Sequence, residues 1–151
     1  MDLEIKPLNK STYEDAVRIA IVGNTGLEKD IRKRLKEDHY FVAVDGDKVV
    51  GEIGWYQDNG SFAGEALGDR FPYGKNIYWL GHFAVDRPSR NKGIGKLLLK
   101  YLEDIIKGLG GRELWVYTDQ ARGFYEKNGF VFVKKAMIED CWQDVLKKDL
   151  T

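Results

Sequence analysis

A basic, glycine-containing segment between an apolar run and an amphipathic run most constrains how this chain can fold. The apolar run, Ile77 to Val85, is typical of a buried strand, and the run from Lys96 to Lys107 is typical of a helix with one apolar face. Glycines let the backbone approach a ligand closely, and the start of a helix presents free N–H groups. The segment is therefore a candidate phosphate-binding loop. Its residues are Arg90, Asn91, Lys92, Gly93, Ile94, Gly95 and Lys96.

Two familiar nucleotide-binding loops are excluded by the residues that follow. A nucleoside-triphosphate loop ends in Gly-Lys-Ser/Thr, but Gly95 and Lys96 are followed by Leu97. A dinucleotide fingerprint needs a third glycine three residues after the second, and Leu98 stands there. The phosphate ligand must therefore be of another kind.

Size and charge restrict the class of protein. We expect one domain over residues 1–151, in which 43% of the residues are hydrophobic and 32% are charged. The 24 basic residues balance the 24 acidic ones, which argues against a nucleic-acid-binding protein. No apolar run approaches the roughly 20 residues that span a bilayer, so we expect no membrane partner. A single cysteine, Cys141, and an N-terminus unlike a signal peptide favour a reducing, cytoplasmic setting.

The periodicity along the chain predicts seven strands and four helices. Ser11 or Thr12 is expected to cap the first helix, and residues 57–75 are expected to form a long glycine-rich loop. The element order predicts a mixed sheet with helices on both faces. The predicted strands are 3–8, 40–44, 49–56, 77–85, 113–118, 130–133 and 144–150, and the predicted helices end near Ile21, Glu37, Lys107 and Lys127.

Two further motifs lie at characteristic distances from the loop. Phe83-Ala84-Val85-Asp86 precedes it, and Ala121-Arg122-Gly123-Phe124-Tyr125-Glu126-Lys127-Asn128-Gly129-Phe130 follows the fifth strand. Together with the loop and the element order, they make nearly the whole chain resemble the GNAT superfamily of acyl-CoA N-acyltransferases. The resemblance implies an α/β (α+β) fold with a mixed, mostly antiparallel twisted sheet of about seven strands, splayed between strands 4 and 5.

The resemblance implies acetyl-CoA, or a related acyl-CoA, as the donor and no metal. The backbone of Phe83, Ala84 and Val85 would bind pantetheine, and N–H groups across residues 92–96 would bind the pyrophosphate. Arg90 would either support the loop or contact phosphate. Thr118 stands where many relatives carry a cofactor-contacting Asn, so that contact is in doubt. The residues expected at the cofactor are Phe83, Ala84, Val85, Arg90, Asn91, Lys92, Gly93, Ile94, Gly95, Lys96, Thr118 and Tyr125.

Acyl transfer to an amine needs a proton acceptor, an oxyanion donor and an acid for the leaving thiolate. Tyr125 matches the family's tyrosine and has a suitable phenol for the acid. A backbone N–H near residues 83–85 is the expected oxyanion donor. The fourth strand has no carboxylate where many relatives have a Glu, so His82 is the first candidate base and Glu52 the second, and water without a protein base is the third reading.

The acceptor is the least determined part of the sequence. Strand and loop aromatics that are candidates to line its cleft are Trp55, Phe71, Tyr73 and Trp79. The long loop slightly favours a small-molecule amine over a peptide or protein amine. The alternatives to an acetyltransferase are a non-catalytic acyl-CoA sensor and an enzyme that uses a hydroxyl acceptor or a longer acyl chain. A homodimer is compatible with the resemblance, but no stretch marks an interface.

Overall fold

The strands and helices follow the predicted order. The computed structural model describes residues 2–23, 26–57, 74–138 and 140–151. The strands are β1 (Leu3–Pro7), β2 (His39–Asp45), β3 (Lys48–Tyr56), β4 (Ile77–Val85), β5 (Glu113–Thr118), β6 (Val131–Ile138) and β7 (Cys141–Asp149). The helices are α1 (Tyr13–Val22), α2 (Glu28–Glu37), α3 (Ile94–Gly108) and α4 (Arg122–Lys127), with a short 3-10 turn at Arg87–Ser89.

The strands form one seven-stranded sheet in the order β1-β2-β3-β4-β5-β7-β6. The ladders of β1 with β2, β2 with β3, β5 with β7 and β6 with β7 are antiparallel, whereas β4 pairs with β5 in parallel. The parallel ladder contains three residue pairs, from Ile77↔Glu113 to Trp79↔Trp115. It ends there although β4 continues to Val85, as expected for strands that are splayed beyond that point.

The chain contains two compact units, and the first consists of Met1–Trp55 and Gly81–Leu102. Its helices lie on both faces of its strands, as predicted. Tyr40 and Val42 of β2 pack in one cluster with the apolar residues of α1 and α2. Phe41, which points the other way, packs edge-on against Tyr101 of α3 with ring centroids 5.3 Å apart. We name the side of the strands that carries Tyr40 and Val42 the α1–α2 face, and the side that carries Phe41 the α3 face.

The second unit consists of Tyr56–Leu80 and Glu103–Thr151. One of its apolar clusters is built around Trp79 and Trp115, whose ring centroids lie 5.6 Å apart. Residues 58–73 of the predicted long loop lie outside the described residues. The side-chain amide of Gln57 donates to the carbonyl oxygens of Gly74 and Lys75, at 3.1 and 2.9 Å, and so joins the two ends of that segment.

Two local predictions were wrong. Both of the last two strands are longer than predicted: β7 begins at Cys141, and β6 continues to Ile138 because Lys134 and Lys135 interrupt its apolar pattern without ending the strand. β6 is an edge strand that tolerates charged side chains, and an irregularity between Phe132 and Lys134 shifts its alternation. Neither predicted residue caps α1 with its side chain: the Thr12 hydroxyl accepts from the Asn9 N–H at 3.0 Å, and the Ser11 hydroxyl donates to the Asn9 Oδ1 at 2.7 Å.

Candidate functional site

The glycine segment forms the connection from β4 to α3, as the sequence predicts. After the 3-10 turn, Asn91 and Gly93 both have left-handed backbone conformations, with φ of 64° and 82°. α3 then begins at Ile94, and Leu97 donates the first backbone bond of the helix, to the Gly93 carbonyl at 3.1 Å. The N–H groups that precede Leu97 in the helix therefore have no acceptor within it.

This connection is open on one side and carries exposed basic side chains. A Cβ atom at Gly93 would meet no described atom within 4 Å, so the space beside the loop is open. Lys92 and Lys96 are exposed and add positive charge to the helix start. The Nε of Arg90 donates to the Val85 carbonyl at 2.9 Å, which ties the loop to the end of β4. Arg90 thus has the loop-supporting role, while its contact with phosphate stays a prediction.

Tyr125 lies on α4 in the second unit and is buried, with 6% of its surface exposed. Its ring packs edge-on against Phe124 and Phe130, with centroids 5.4 and 5.3 Å away. Thr118, at the end of β5, accepts from the N–H groups of Gln120 and Ala121 at 3.3 and 3.0 Å. Thr118 therefore organises the turn that leads into α4.

His82 lies in β4 within the first unit and is half-buried. Its backbone N–H donates to the hydroxyl of Tyr40 at 2.8 Å. The connection between α1 and α2 lies beside its ring, since a Cβ atom at Gly26 would be 3.5 Å from the His82 Cε1. The described part of that connection therefore brings backbone close to the candidate base.

Glu52 lies in β3 of the same unit and is completely buried. Neither carboxyl oxygen has a hydrogen-bond partner among the described residues. Burial alone raises the pKa of this carboxyl well above its usual value, because the charged form loses its hydration. Glu52 pairs with Val42, and Gly54, two residues further along β3, pairs with Tyr40. Because paired residues share a face and both Val42 and Tyr40 lie on the α1–α2 face, Glu52 points to that face.

Tyr40 is the residue of this region that the sequence reasoning missed. It is 5% exposed and reaches from β2 across Gly54 of β3 to Gly81 of β4. A Cβ atom at Gly54 would lie 2.5 Å from its ring, and one at Gly81 would collide with its hydroxyl. A glycine inside a strand often marks a place where another group approaches the backbone closely. Gly54 in β3 and Gly81 in β4 were therefore the features of the sequence that could have indicated a large side chain lying across these strands.

The two predicted acceptor residues that the structure describes belong to different units. Trp55 stacks on His39 with ring centroids 4.0 Å apart, and strand alternation puts it on the α3 face, opposite to Glu52. Trp79 is fully buried in the core of the second unit. Phe71 and Tyr73 lie outside the described residues. An acceptor role for any of the four stays a prediction.

A comparison with models of protein families establishes the family membership of the chain. The model of the acetyltransferase (GNAT) family matches residues 7–130, which is most of the sequence. The chain belongs to the acetyltransferase (GNAT) family. The glycine segment and the segment around Tyr125 both lie within the matched residues. No curated protein sequence matches the chain.

Solved structures of the family share the fold over the full length at low sequence identity. Ard1 from Thermoplasma volcanium has a TM-score of 0.78 at 18% identity, over 100% of this chain and 99% of the other. A GNAT-family acetyltransferase from Staphylococcus aureus Mu50 has 0.76 at 20%, over 99% of both chains. An aminoglycoside 6'-N-acetyltransferase in complex with coenzyme A has 0.75 at 19%, over 98% and 97%.

None of the helices in the described part of the chain combines the length and the apolar character that crossing a membrane requires.

Proposed function

We propose that the protein is an N-acetyltransferase that transfers an acetyl group from acetyl-CoA to a primary amine by direct attack in a ternary complex. The observation that carries the proposal is the β4–α3 connection, with left-handed Gly93 and the free N–H groups at the start of a 15-residue helix. This connection occurs in a chain that belongs to the acetyltransferase family. A relative with the same fold binds coenzyme A, which supports the choice of donor.

The connection and the end of β4 would hold the donor. The N–H groups of residues 92–96 would bind the pyrophosphate, and a helix start stabilises a nearby anion by up to about 2 kcal/mol. The backbone of residues 83–85 would bind pantetheine, although Arg90 already occupies the Val85 carbonyl. Acetyl-CoA supplies, when bound, an acetyl group activated as a thioester.

Tyr125 and one base would move the protons. The hydroxyl of Tyr125 would donate a proton to the departing sulfur, and a backbone N–H near residues 83–85 would stabilise the carbonyl oxygen. His82 is the first candidate base, because it is half-buried in β4 and carries an imidazole, the side chain that most often serves as a general base. Glu52 is the second, and its raised pKa keeps it protonated over a wider pH range than an exposed Glu.

The two base candidates give different pH profiles. If His82 is the base, His82→Gln lowers kcat by about 100-fold and removes the acidic limb of the pH profile. If Glu52 is the base, Glu52→Gln does so instead. If both variants keep the acidic limb, neither residue is the base, and water is left as the proton acceptor.

The proposal is tested by release of the free thiol over a panel of amines. The panel contains small primary amines, an aminoglycoside, amino acids and peptides with a free amino terminus, and succinyl-CoA replaces acetyl-CoA in parallel. We expect release with acetyl-CoA and a small amine, with intersecting initial-rate plots. Parallel plots would indicate a covalent acetyl-enzyme and contradict direct attack.

The complete burial of Glu52 favours one second candidate, a domain that binds acyl-CoA without turnover. With the Glu52 carboxyl inaccessible, the protein could retain the donor loop and lack a competent base. Tight binding of CoA with no thiol release from any amine would select this alternative and refute the enzyme.

A further inference from the structure

Three polar groups of the first unit, two side chains and one backbone N–H, lie close together at the α1–α2 face. Tyr40, Glu52 and the N–H of His82 come from three adjacent strands and are covered by apolar residues of α1 and α2. A backbone N–H within a strand normally donates to the carbonyl of a neighbouring strand. The N–H of His82 instead donates to the Tyr40 side chain, which comes from a strand beyond β3.

The register places Tyr40 and Glu52 within reach of each other. Tyr40 pairs with Gly54, and Val42 pairs with Glu52, so Tyr40 and Glu52 are diagonal neighbours on one face. Diagonal neighbours in an antiparallel pair lie about 7–8 Å apart at the backbone, a distance that long and aromatic side chains bridge. Gly54 and Gly81 leave the room that the Tyr40 ring fills.

The hydrogen-bonding capacity of the two side chains is complementary. The Tyr40 hydroxyl accepts from His82 and still has its own proton to donate, for which the described residues provide no acceptor. Glu52 has two oxygens without a donor among those residues. Buried polar groups with unused capacity are costly. In the structure the two side chains do not hydrogen-bond to each other; an ionised Glu52 would provide the acceptor that the Tyr40 proton lacks.

The electrostatics of this face agree with that geometry. Burial is the main cause that raises the pKa of the Tyr40 hydroxyl well above its usual value, and the charge of Glu52 is the next. The other charged groups that act on Tyr40 belong to α2 and its end, where Arg34 and Asp38 form an ion pair at 3.1 Å. α1 contributes only apolar residues to the cluster, among them Ala16 and Ala20.

We propose that Tyr40 is a positioning residue of the acetyl-transfer reaction, which holds the His82 backbone N–H on the α1–α2 face and stabilises the ionised Glu52 carboxylate with its hydroxyl proton. The inference rests on the proposed function, and it adds a residue that links the two candidate bases. Because only 5% of Tyr40 is exposed, this role is exerted through His82 and Glu52.

Tyr40→Phe is the variant that tests this role, because it removes the hydroxyl and keeps the ring over Gly54 and Gly81. The matched control is Tyr101→Phe, which removes a hydroxyl from a ring on the α3 face of the same unit. Both variants are first compared with the wild-type protein in thermal unfolding, so that only folded protein enters the assays.

The first measurement uses NMR on the protein without donor or acceptor and needs no turnover. We expect Tyr40→Phe to shift the amide resonance of His82, to accelerate its hydrogen exchange and to move the titration of the Glu52 carboxyl to higher pH. Tyr101→Phe should change none of these. An unchanged His82 amide, or an unchanged Glu52 titration, overturns the proposal.

The second measurement is a double-mutant cycle on kcat. We expect Tyr40→Phe to lower kcat about tenfold with an unchanged KM for acetyl-CoA, and to lower it less than about twofold in the Glu52→Gln background. If Tyr40→Phe lowers kcat by the same factor in the wild-type and the Glu52→Gln proteins, the coupling between Tyr40 and Glu52 is refuted. If the wild-type protein releases no thiol while both NMR changes occur, the proposed function fails and the link between Tyr40, His82 and Glu52 stands.

Discussion

The ion pair between Lys148 and Glu103 gives the sharpest test of how the second unit holds α4. The Lys148 Nζ lies 2.8 Å from the Glu103 Oε1 and donates at the same distance to the carbonyl of Asn128, just after α4. The Glu103 side chain is 4% exposed and that of Lys148 is 25% exposed. Lys148→Met would therefore leave a buried carboxylate and a carbonyl without their donor.

The structure sets the size of the expected loss. Removing one partner of a buried ion pair costs about 3–5 kcal/mol. Lys148 is partly exposed, so water can replace some of the lost interaction, and we expect about 3 kcal/mol in the free energy of unfolding. For a chain of this length that corresponds to a fall of roughly 6–12 °C in Tm.

Urea and thermal unfolding followed by circular dichroism measure the effect, and the chain provides a matched control. Lys135 and Asp144 form an ion pair at 2.9 Å with side chains 62% and 13% exposed, so Lys135→Met should cost less than about 1 kcal/mol. Combining Lys148→Met with Glu103→Leu should recover stability to within about 1 kcal/mol of the wild-type protein. Equal losses in Lys148→Met and Lys135→Met would refute the reasoning.

Three further predictions concern the candidate site. Gly93→Val should weaken CoA binding at least about tenfold in calorimetry, whereas Gly110→Val, at a similar φ of 89°, should cost similar stability without affecting CoA; equal affinities would remove the loop assignment. Tyr125→Phe should lower kcat about 100-fold with little change in the Kd for CoA, and an unaltered rate would exclude Tyr125 as the acid. Because burial raises the pKa of folded Glu52, its contribution to stability falls as pH rises above the unfolded value, so the stability of Glu52→Gln relative to wild type in urea should increase from pH 5 to pH 8; a difference independent of pH would contradict the raised pKa.

The sequence predicts the fold well where local signals and burial agree. The runs at 77–85 and 113–118 are apolar, are bounded by glycine or charged turns, and match β4 and β5 residue for residue. The helix predicted from Lys96 is α3, which begins two residues earlier, at Ile94, directly after the left-handed Gly93. β6 was underestimated because an edge strand can carry Lys134 and Lys135 in a way that a central strand cannot.

The glycine loop and the motif around Tyr125 could be recognised in the sequence because each is formed by a short continuous segment. Through these two segments, the sequence by itself determined the family and the expected donor. Only the tertiary structure decided which residues meet on the α1–α2 face. The pairing register of β2 with β3 brings Tyr40 beside Glu52, turns Trp55 to the opposite face and leaves room over Gly54 and Gly81. Register is set by contacts between residues distant in sequence, and a shift of one residue reverses every side chain, so no local pattern reveals these neighbours.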